Sequence, residues 1–171
     1  MANLVIPYDK YFDTKNVISV RAASDALDDG YLIQASSLVT GERDVYTATQ
    51  INAITLNYLA MVVGYNFYED SLGNRPNVSD PTQITYPAGS DVTAYRLIKN
   101  SRFFMSSGTY TGTPAVGQFL IPTADAYTWA AAASLGGTEL YAFIVEAISV
   151  TGSYRGLNGI TGVIARVAVG D

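Results

Sequence analysis

The sequence predicts a mainly β protein. Short runs of apolar and β-branched residues recur from Tyr31 onward, and Gly, Asn, Pro or Ser separate them. Hydrophobic residues make up 49% of the 171 residues, and 13 residues are tyrosines, which argues against disorder and suffices for one buried core. We therefore expect a compact β-barrel or β-sandwich of about eight short strands over residues 30–171, preceded by an extended N-terminal arm over residues 1–29.

The predicted arm mixes aromatic and charged side chains without a sustained helical or strand period. We expect it to contribute little to the core and to bind a partner; an edge strand with a frayed start is the alternative. Its candidate partner-binding residues are Tyr8, Tyr11, Phe12, Val17 and Ile18. The segment Asp28-Asp29-Gly30 predicts a turn at the end of the arm, because Asp-Gly favours a positive φ angle.

Eight segments have the composition of strands, and two of them carry informative patterns. Residues 141–150 are apolar on both faces apart from Glu146, which predicts a central strand covered on both sides. In the last strand Val163, Ala165, Val167 and Val169 share one face and Arg166 lies on the other. The predicted strands are residues 31–36, 44–49, 54–63, 93–98, 102–106, 116–121, 141–151 and 160–169.

Two further segments depart from the strand pattern. Residues 64–92 contain three of the six prolines and predict one long irregular loop, a kind of loop that often carries a function. Its aromatic residues Tyr65, Phe67 and Tyr68 can anchor a protein interface, stack on a sugar ring or pack back on the domain. The Ala-rich residues 128–133 predict a short helical turn, with a strand or loop as alternatives.

The composition argues against catalysis and metal binding. The chain contains no His and no Cys, so it lacks the usual general base, the thiolate nucleophile and the N/S ligands of transition metals. Among carboxylates, the neighbours Glu69 and Asp70 do not form a glycosidase pair, and Asp25, Asp28 and Asp29 lack the spacing of a calcium loop. We expect no enzyme, no cofactor and no metal.

Charge patterning also limits the partners. The net charge is −5 and the ten Lys and Arg residues are scattered, so we expect neither nucleic acid nor a membrane as partner. The glycines at 108, 112 and 117 do not precede a helix and read as loop glycines rather than a phosphate cradle. Residues 103–154 carry only three charges, a pattern that fits a core together with packing against a neighbouring subunit. Self-association as a dimer or trimer is therefore an expectation.

Four segments resemble small capsid decoration proteins, also called cement or head auxiliary proteins, of tailed bacteriophages. They are residues 29–33 (DGYLI), 37–46 (SLVTGERDVY), 94–97 (AYRL) and 116–122 (VGQFLIP). The resemblance runs over about residues 15–169 and includes an aromatic-acidic loop at residues 68–70. It departs in the aromatic residues 56–68 and in the arm.

The resemblance implies a structural virion protein, made in the host cytoplasm, that binds the outer capsid surface and bridges major capsid protein subunits. An arm that adds a strand to a capsid sheet would supply adhesion through main-chain hydrogen bonds. The alternative is a head-fibre or adhesion module that binds host carbohydrate through Tyr65, Phe67, Tyr68 and Trp129.

Overall fold

The structure, a computed structural model, describes residues 5–7, 16–35, 37–51, 59–62, 85–154 and 157–170. The regular structure of these residues is almost entirely β, which confirms the predicted mainly β class. Their fourteen strands are β1 (Val5–Pro7), β2 (Val17–Ala22), β3 (Leu27–Asp28), β4 (Leu32–Gln34), β5 (Val45–Ala48), β6 (Leu59–Val62), β7 (Thr85–Tyr86), β8 (Asp91–Arg96), β9 (Arg102–Ser106), β10 (Tyr110–Thr111), β11 (Phe119–Pro122), β12 (Trp129–Ala132), β13 (Ala142–Tyr154) and β14 (Leu157–Val169).

The strands form two large sheets and one small one. The seven-stranded sheet has the order β1-β9-β14-β13-β11-β12-β10, and its neighbours are antiparallel except for β10 and β12. The five-stranded sheet has the order β4-β6-β8-β2-β5, and β3 pairs with β7 in a two-stranded sheet. Strand β14 alternates as predicted at Val163, Ala165 and Val167, which are buried, whereas Arg166 is half-buried on the other face. Val169, at the end of the strand, is also half-buried.

Two hydrophobic clusters hold these sheets together. The first cluster joins the two large sheets and contains Leu59 and Met61 of β6 with Phe143 and Val145 of β13. The second cluster lies on the opposite face of the five-stranded sheet and joins it to the β3–β7 pair. Strand β6 supplies side chains to both clusters and is buried along its whole length, because its successive residues point to opposite faces.

The prediction that residues 141–150 are covered on both sides is wrong. Phe143 and Val145 face the first cluster and are buried. On the other face Ile144 is half-buried, and Ile148 remains 44% exposed. Burial against the described residues therefore does not account for the apolar character of this second face.

The expected arm is also corrected in part. Strand β2 lies inside the five-stranded sheet between β8 and β5, and Ile18, Val20 and Ala22 belong to the second cluster. Alternate positions of this segment are apolar, which is the period of a strand with one buried face. Residues 17–22 are therefore part of the core, whereas an attachment role for the arm stays a prediction.

Two further differences concern the Ala-rich segment and the number of strands. Residues 128–133 do not form a helical turn, because Trp129–Ala132 is strand β12 and pairs with both β11 and β10. A six-residue segment is too short to form a stable helix alone, so burial of Trp129 decides its conformation. The predicted count of about eight strands is too low. Most of the additional strands have only two to four residues, which is too short for a recognisable sequence pattern.

The turn at the end of the expected arm is confirmed. Gly30 has φ +82°, and its N–H donates a 2.8 Å hydrogen bond to the carbonyl of Val62. A Cβ atom at this position would overlap the side chains of Thr109 and Val5. Glycine is therefore required both by the backbone conformation and by close packing between β1, the turn and the segment before β10.

Candidate protein-binding surface

The β13–β14 hairpin extends beyond the rest of its sheet. Strand β9 pairs with β14 at residues 162–166, and β11 pairs with β13 at residues 143–144. In the described part of the chain, residues 151–154 and 157–161 pair with each other, and outside this pairing the Ser107 N–H donates a 3.2 Å hydrogen bond to the carbonyl of Thr161. We call these two segments the ribbon. The outer edges of such a ribbon present backbone N–H and C=O groups that can pair with another chain.

The base of the ribbon is irregular. The β13–β14 register shifts between Val145 and Ala147 and again between Ala147 and Val150. Between the last two residues, Ser149 has φ +53°, an uncommon value for a residue other than glycine. Ile148 and Ser149 are both exposed. A bulge redirects side chains relative to the regular pleat, so this irregularity helps to present an isoleucine to solvent.

The outer face of the seven-stranded sheet combines apolar residues with a cluster of three charged side chains, Glu146, Arg166 and Arg102. Glu146 on β13 lies 2.7 Å from Nε of Arg166 on β14 and 2.9 Å from Nε of Arg102 on β9. Arg166 also donates a 2.9 Å hydrogen bond to Oδ1 of Asn100. The half-buried Ile144 and Ile164 are close to this group in the sheet register.

Two opposing effects set the pKa of Glu146. Burial disfavours the carboxylate and is the largest single effect, but hydrogen bonds from Arg166 and Arg102 and their positive charges together outweigh it. The pKa of Glu146 is therefore held below its ordinary value. The group carries one net positive charge in a chain whose net charge is −5, and it ties β9, β13 and β14 together on the outer face.

Large exposed hydrophobic side chains occur at several places among the described residues. Besides Ile148, they are Leu38 at 48%, Leu140 at 40% and Val116 at 59% exposure. Single exposed hydrophobic residues are common on protein surfaces. Ile148 differs from the others because it stands at a bulge, beside the ribbon and on a face with further half-buried apolar residues.

The structure describes only two of the eight sequence-predicted site residues. Tyr8, Tyr11, Phe12, Tyr65, Phe67 and Tyr68 lie outside the described residues. Val17 is half-buried, and Ile18 is 9% exposed and packs in the second cluster. Ile18 therefore contributes to the core, and partner binding by either residue stays a prediction.

The weaker carboxylate candidates can be placed in part. Glu69 and Asp70 lie outside the described residues. Asp28 and Asp29 accept hydrogen bonds from the hydroxyls of Thr85 and Tyr86, and Asp25 accepts one from Tyr127. Within the described ranges, no group of three or more His, Cys, Asp or Glu residues is arranged to hold a metal ion. Asp28 and Asp29 instead connect β3 and the turn after it to β7, and Asp25 connects the segment before β3 to Tyr127.

Trp129 is not available to a carbohydrate. Its side chain is fully buried in the first cluster, and its ring meets that of Phe143 edge to face with centroids 4.7 Å apart. A sugar-stacking ring must expose one face, so the structure excludes this tryptophan from the alternative adhesion site. The other aromatic residues of that alternative are at 65, 67 and 68, outside the described residues.

Sequence reasoning missed the ribbon and the bulge. The predicted strands ended at residue 151 and began again at residue 160, whereas β13 continues to Tyr154 and β14 starts at Leu157. The near absence of charge in residues 141–154 was a signal for an extended strand pair. The bulge had no such signal, because Ser149 is not a residue type that usually adopts a positive φ angle.

Comparison with known proteins gives no family. No protein-family model matches the sequence, and no curated protein matches it either. No helix in the described part of the chain is long and apolar enough to cross a membrane.

Proposed function

We propose that this protein is a structural virion protein that binds the outer surface of a tailed-phage capsid and bridges neighbouring major capsid protein subunits. The capsid partner comes from the resemblance of four sequence segments. The attachment role is supported by one structural observation above the others, the ribbon with the exposed Ile148 at its base. In this proposal the protein is made in the host cytoplasm and stabilises the shell without catalysis or a cofactor.

Attachment through the ribbon needs little side-chain specificity. A partner strand laid along one ribbon edge would gain main-chain hydrogen bonds, and the apolar face around Ile148 would add burial. Each such contact is weak, but many copies on a symmetric shell give strong retention. Contacts between neighbouring copies on the shell, as dimers or trimers, belong to the same proposal.

In this proposal fewer residues of the N-terminal arm bind the capsid than the sequence analysis predicts. Val5–Pro7 already adds a strand to the chain's own β9, in register from Val5 opposite Met105 to Pro7 opposite Phe103. The proposed capsid-binding residues of the arm are therefore Tyr8, Tyr11 and Phe12. The loop residues Tyr65, Phe67 and Tyr68 remain proposed contacts on the same grounds as before, their aromatic character and the length of the loop.

Co-sedimentation with undecorated phage heads tests the proposal. We expect the wild-type protein to pellet with the heads in a saturable manner. Ile148→Glu should weaken binding about 30-fold, because a central interface side chain is often worth about 2 kcal/mol. The matched control is Leu38→Glu, a change of similar size at a residue of similar exposure, 48% against 44%.

The outcomes separate the whole proposal from its surface. Failure of the wild-type protein to bind any undecorated head would overturn the capsid assignment. If the wild-type protein binds saturably and Ile148→Glu and Leu38→Glu weaken binding equally, the capsid remains the partner. The base of the ribbon is then not the contact surface. Thermal melts of both variants show whether each one is folded before binding is compared.

A further inference from the structure

A cavity of about 240 Å³ lies at the base of the ribbon. It is bounded by the end of β9, the edge strand β10 and the loop that follows it, the bulge of β13 and the start of the paired part of β14. Its lining residues are Ser107, Tyr110, Gly112, Thr113, Pro114, Ile148, Ser149, Thr161, Gly162 and Val163. The cavity therefore opens next to the surface already proposed for attachment.

Backbone features shape the walls of this cavity. Ser149 takes its positive φ angle at the bulge, and Gly112 has φ +85° beside Ala131. At Gly162 a side chain would collide with the carbonyl of Met105, so glycine allows β14 to approach β9 closely there. Because three backbone positions fix the walls, the cavity exists without a bound partner.

The lining selects a neutral ligand with one polar end. Among the described residues that line the cavity there is no Asp, Glu, Lys or Arg, so a charged ligand would lose hydration without gaining a counter-charge from them. Pro114, Ile148 and Val163 offer apolar contact, whereas Ser107 and Thr161 offer hydroxyl groups that both donate and accept. This combination suits an aromatic ring with a single hydroxyl or N–H.

The size of the cavity points to one side chain. A cavity of about 150 Å³ is enough to hold benzene, and sites for drug-sized ligands usually measure about 300–1,000 Å³. The present volume, about 240 Å³, lies between them. An oligosaccharide would exceed this volume, and many of its hydroxyls would face described lining residues that carry no carboxylate or side-chain amide.

We propose that this cavity receives a tyrosine side chain of the partner protein, with the ring between Pro114 and Ile148 and the phenol among the hydroxyl groups. Buried tyrosines are frequent interface anchors, because they combine a large apolar ring with a polar tip. The identity of the partner as the capsid protein rests on the proposed function. The chemistry of the cavity does not, so the two can be tested separately.

The test uses the full-length protein and p-cresol, the side-chain analogue of tyrosine, in a ¹H–¹⁵N correlation NMR titration. We expect saturable shifts at the lining residues with a dissociation constant of about 1 mM, as fits a ligand of few atoms. Thr113→Trp and Thr161→Trp place a large side chain at two exposed lining positions and should each weaken p-cresol binding at least about tenfold. Thr40→Trp, at an exposed turn outside the lining, is the control and should bind as the wild type does.

Each outcome decides the inference. Saturable shifts that the two lining variants abolish and Thr40→Trp retains would support a tyrosine pocket. Absence of saturable shifts in the wild-type protein, or stronger shifts with N-acetylglucosamine than with p-cresol, would overturn it. If the protein binds p-cresol but does not bind undecorated phage heads, the tyrosine pocket is supported and the assignment of the capsid as partner is wrong. If one lining variant does not fold, the other still tests the site.

Discussion

The phenolic hydroxyl of Tyr86 donates a 2.9 Å hydrogen bond to Oδ1 of Asp29, and both side chains are buried. The pair joins β7 to the turn that precedes β4, across 57 residues of sequence. Removing the donor of a buried hydrogen bond is costly, because the acceptor has lost its contact with water and is then left without this partner. This contact therefore helps to hold the two-stranded sheet against the second hydrophobic cluster.

Tyr86→Phe should destabilise the protein by about 1.5–3 kcal/mol, because it removes this donor and keeps the ring. Tyr46→Phe is the control: it removes only a 3.3 Å hydrogen bond with Arg96 at a partly exposed site, and should cost about 1 kcal/mol or less. Urea denaturation measures both. Equal midpoints for the two variants would contradict the importance of the Tyr86–Asp29 contact.

Gly30→Ala should destabilise more than Gly41→Ala. Both glycines have a positive φ angle, +82° and +87°, so each alanine incurs a backbone cost of about 1 kcal/mol. At Gly30 the new methyl group would also overlap Thr109 and Val5, whereas nothing lies within 4 Å at Gly41. Overpacking adds about 1–3 kcal/mol at the first site alone. Thermal melts of both variants measure the difference, and identical melting temperatures would show that the turn relaxes freely.

Phe143→Ala should cost about 3–5 kcal/mol through lost burial and the cavity left behind. Phe143 is fully buried and packs edge to face on Phe103 and Trp129, with centroids 5.7 Å and 4.7 Å away. Ile148→Ala, on the same strand but 44% exposed, should cost less than about 1 kcal/mol. Chemical denaturation compares the two variants. An unchanged midpoint for Phe143→Ala would show that Phe143 on β13 does not contribute to the core.

The ion group on the outer face should make part of the stability dependent on pH. Because the pKa of Glu146 is lower in the folded protein than its ordinary value of 4.5, ionisation favours folding. This contribution is present above about pH 4.5 and is lost as the pH falls through the lower, folded-state pKa. At pH 7 it should amount to about 0.2–1 kcal/mol, since the group is partly exposed and solvent screens it.

Glu146→Gln tests this pH dependence. The free energy of unfolding of the wild-type protein should exceed that of the variant at pH 7, and the difference should shrink at pH 3. Measuring the difference between the two proteins at each pH cancels most of the titration of the other carboxylates. A difference that is the same at both pH values would mean that the charge of Glu146 does not contribute.

Deletion of residues 2–24 should abolish cooperative folding. The deletion removes β2, which pairs with both β5 and β8, and takes Ile18, Val20 and Ala22 out of the second cluster. Deletion of residues 2–4, which precede β1, is the control and should leave a cooperative melt. If the protein that lacks residues 2–24 melts cooperatively at the wild-type temperature, these residues do not contribute to the core.

Local patterns were enough for much of the fold. All eight predicted strand segments contain or overlap an observed strand, and residues 102–106 were predicted with their observed bounds. The turn at Asp29-Gly30 and the buried face of β14 were also predicted correctly. Alternation along a strand and the conformational preferences of Gly and Asp act within a few residues, so these features can be read without knowing what the segment meets.

The sequence by itself therefore determined the β class, the approximate strand positions and the lack of His and Cys chemistry. Tertiary structure decided the rest. Strands β3 and β7 are only two residues long. They form because Leu27 and Tyr86, 59 positions apart in the sequence, pair with each other and are both buried in the second cluster. In the same way β2 became a core strand, the Ala-rich segment became β12, and the ribbon, bulge and cavity arose where β9 and β11 stop pairing with the longer β13 and β14. Hydrogen-bond partners and burial distant in sequence set these outcomes, and no local pattern encodes them.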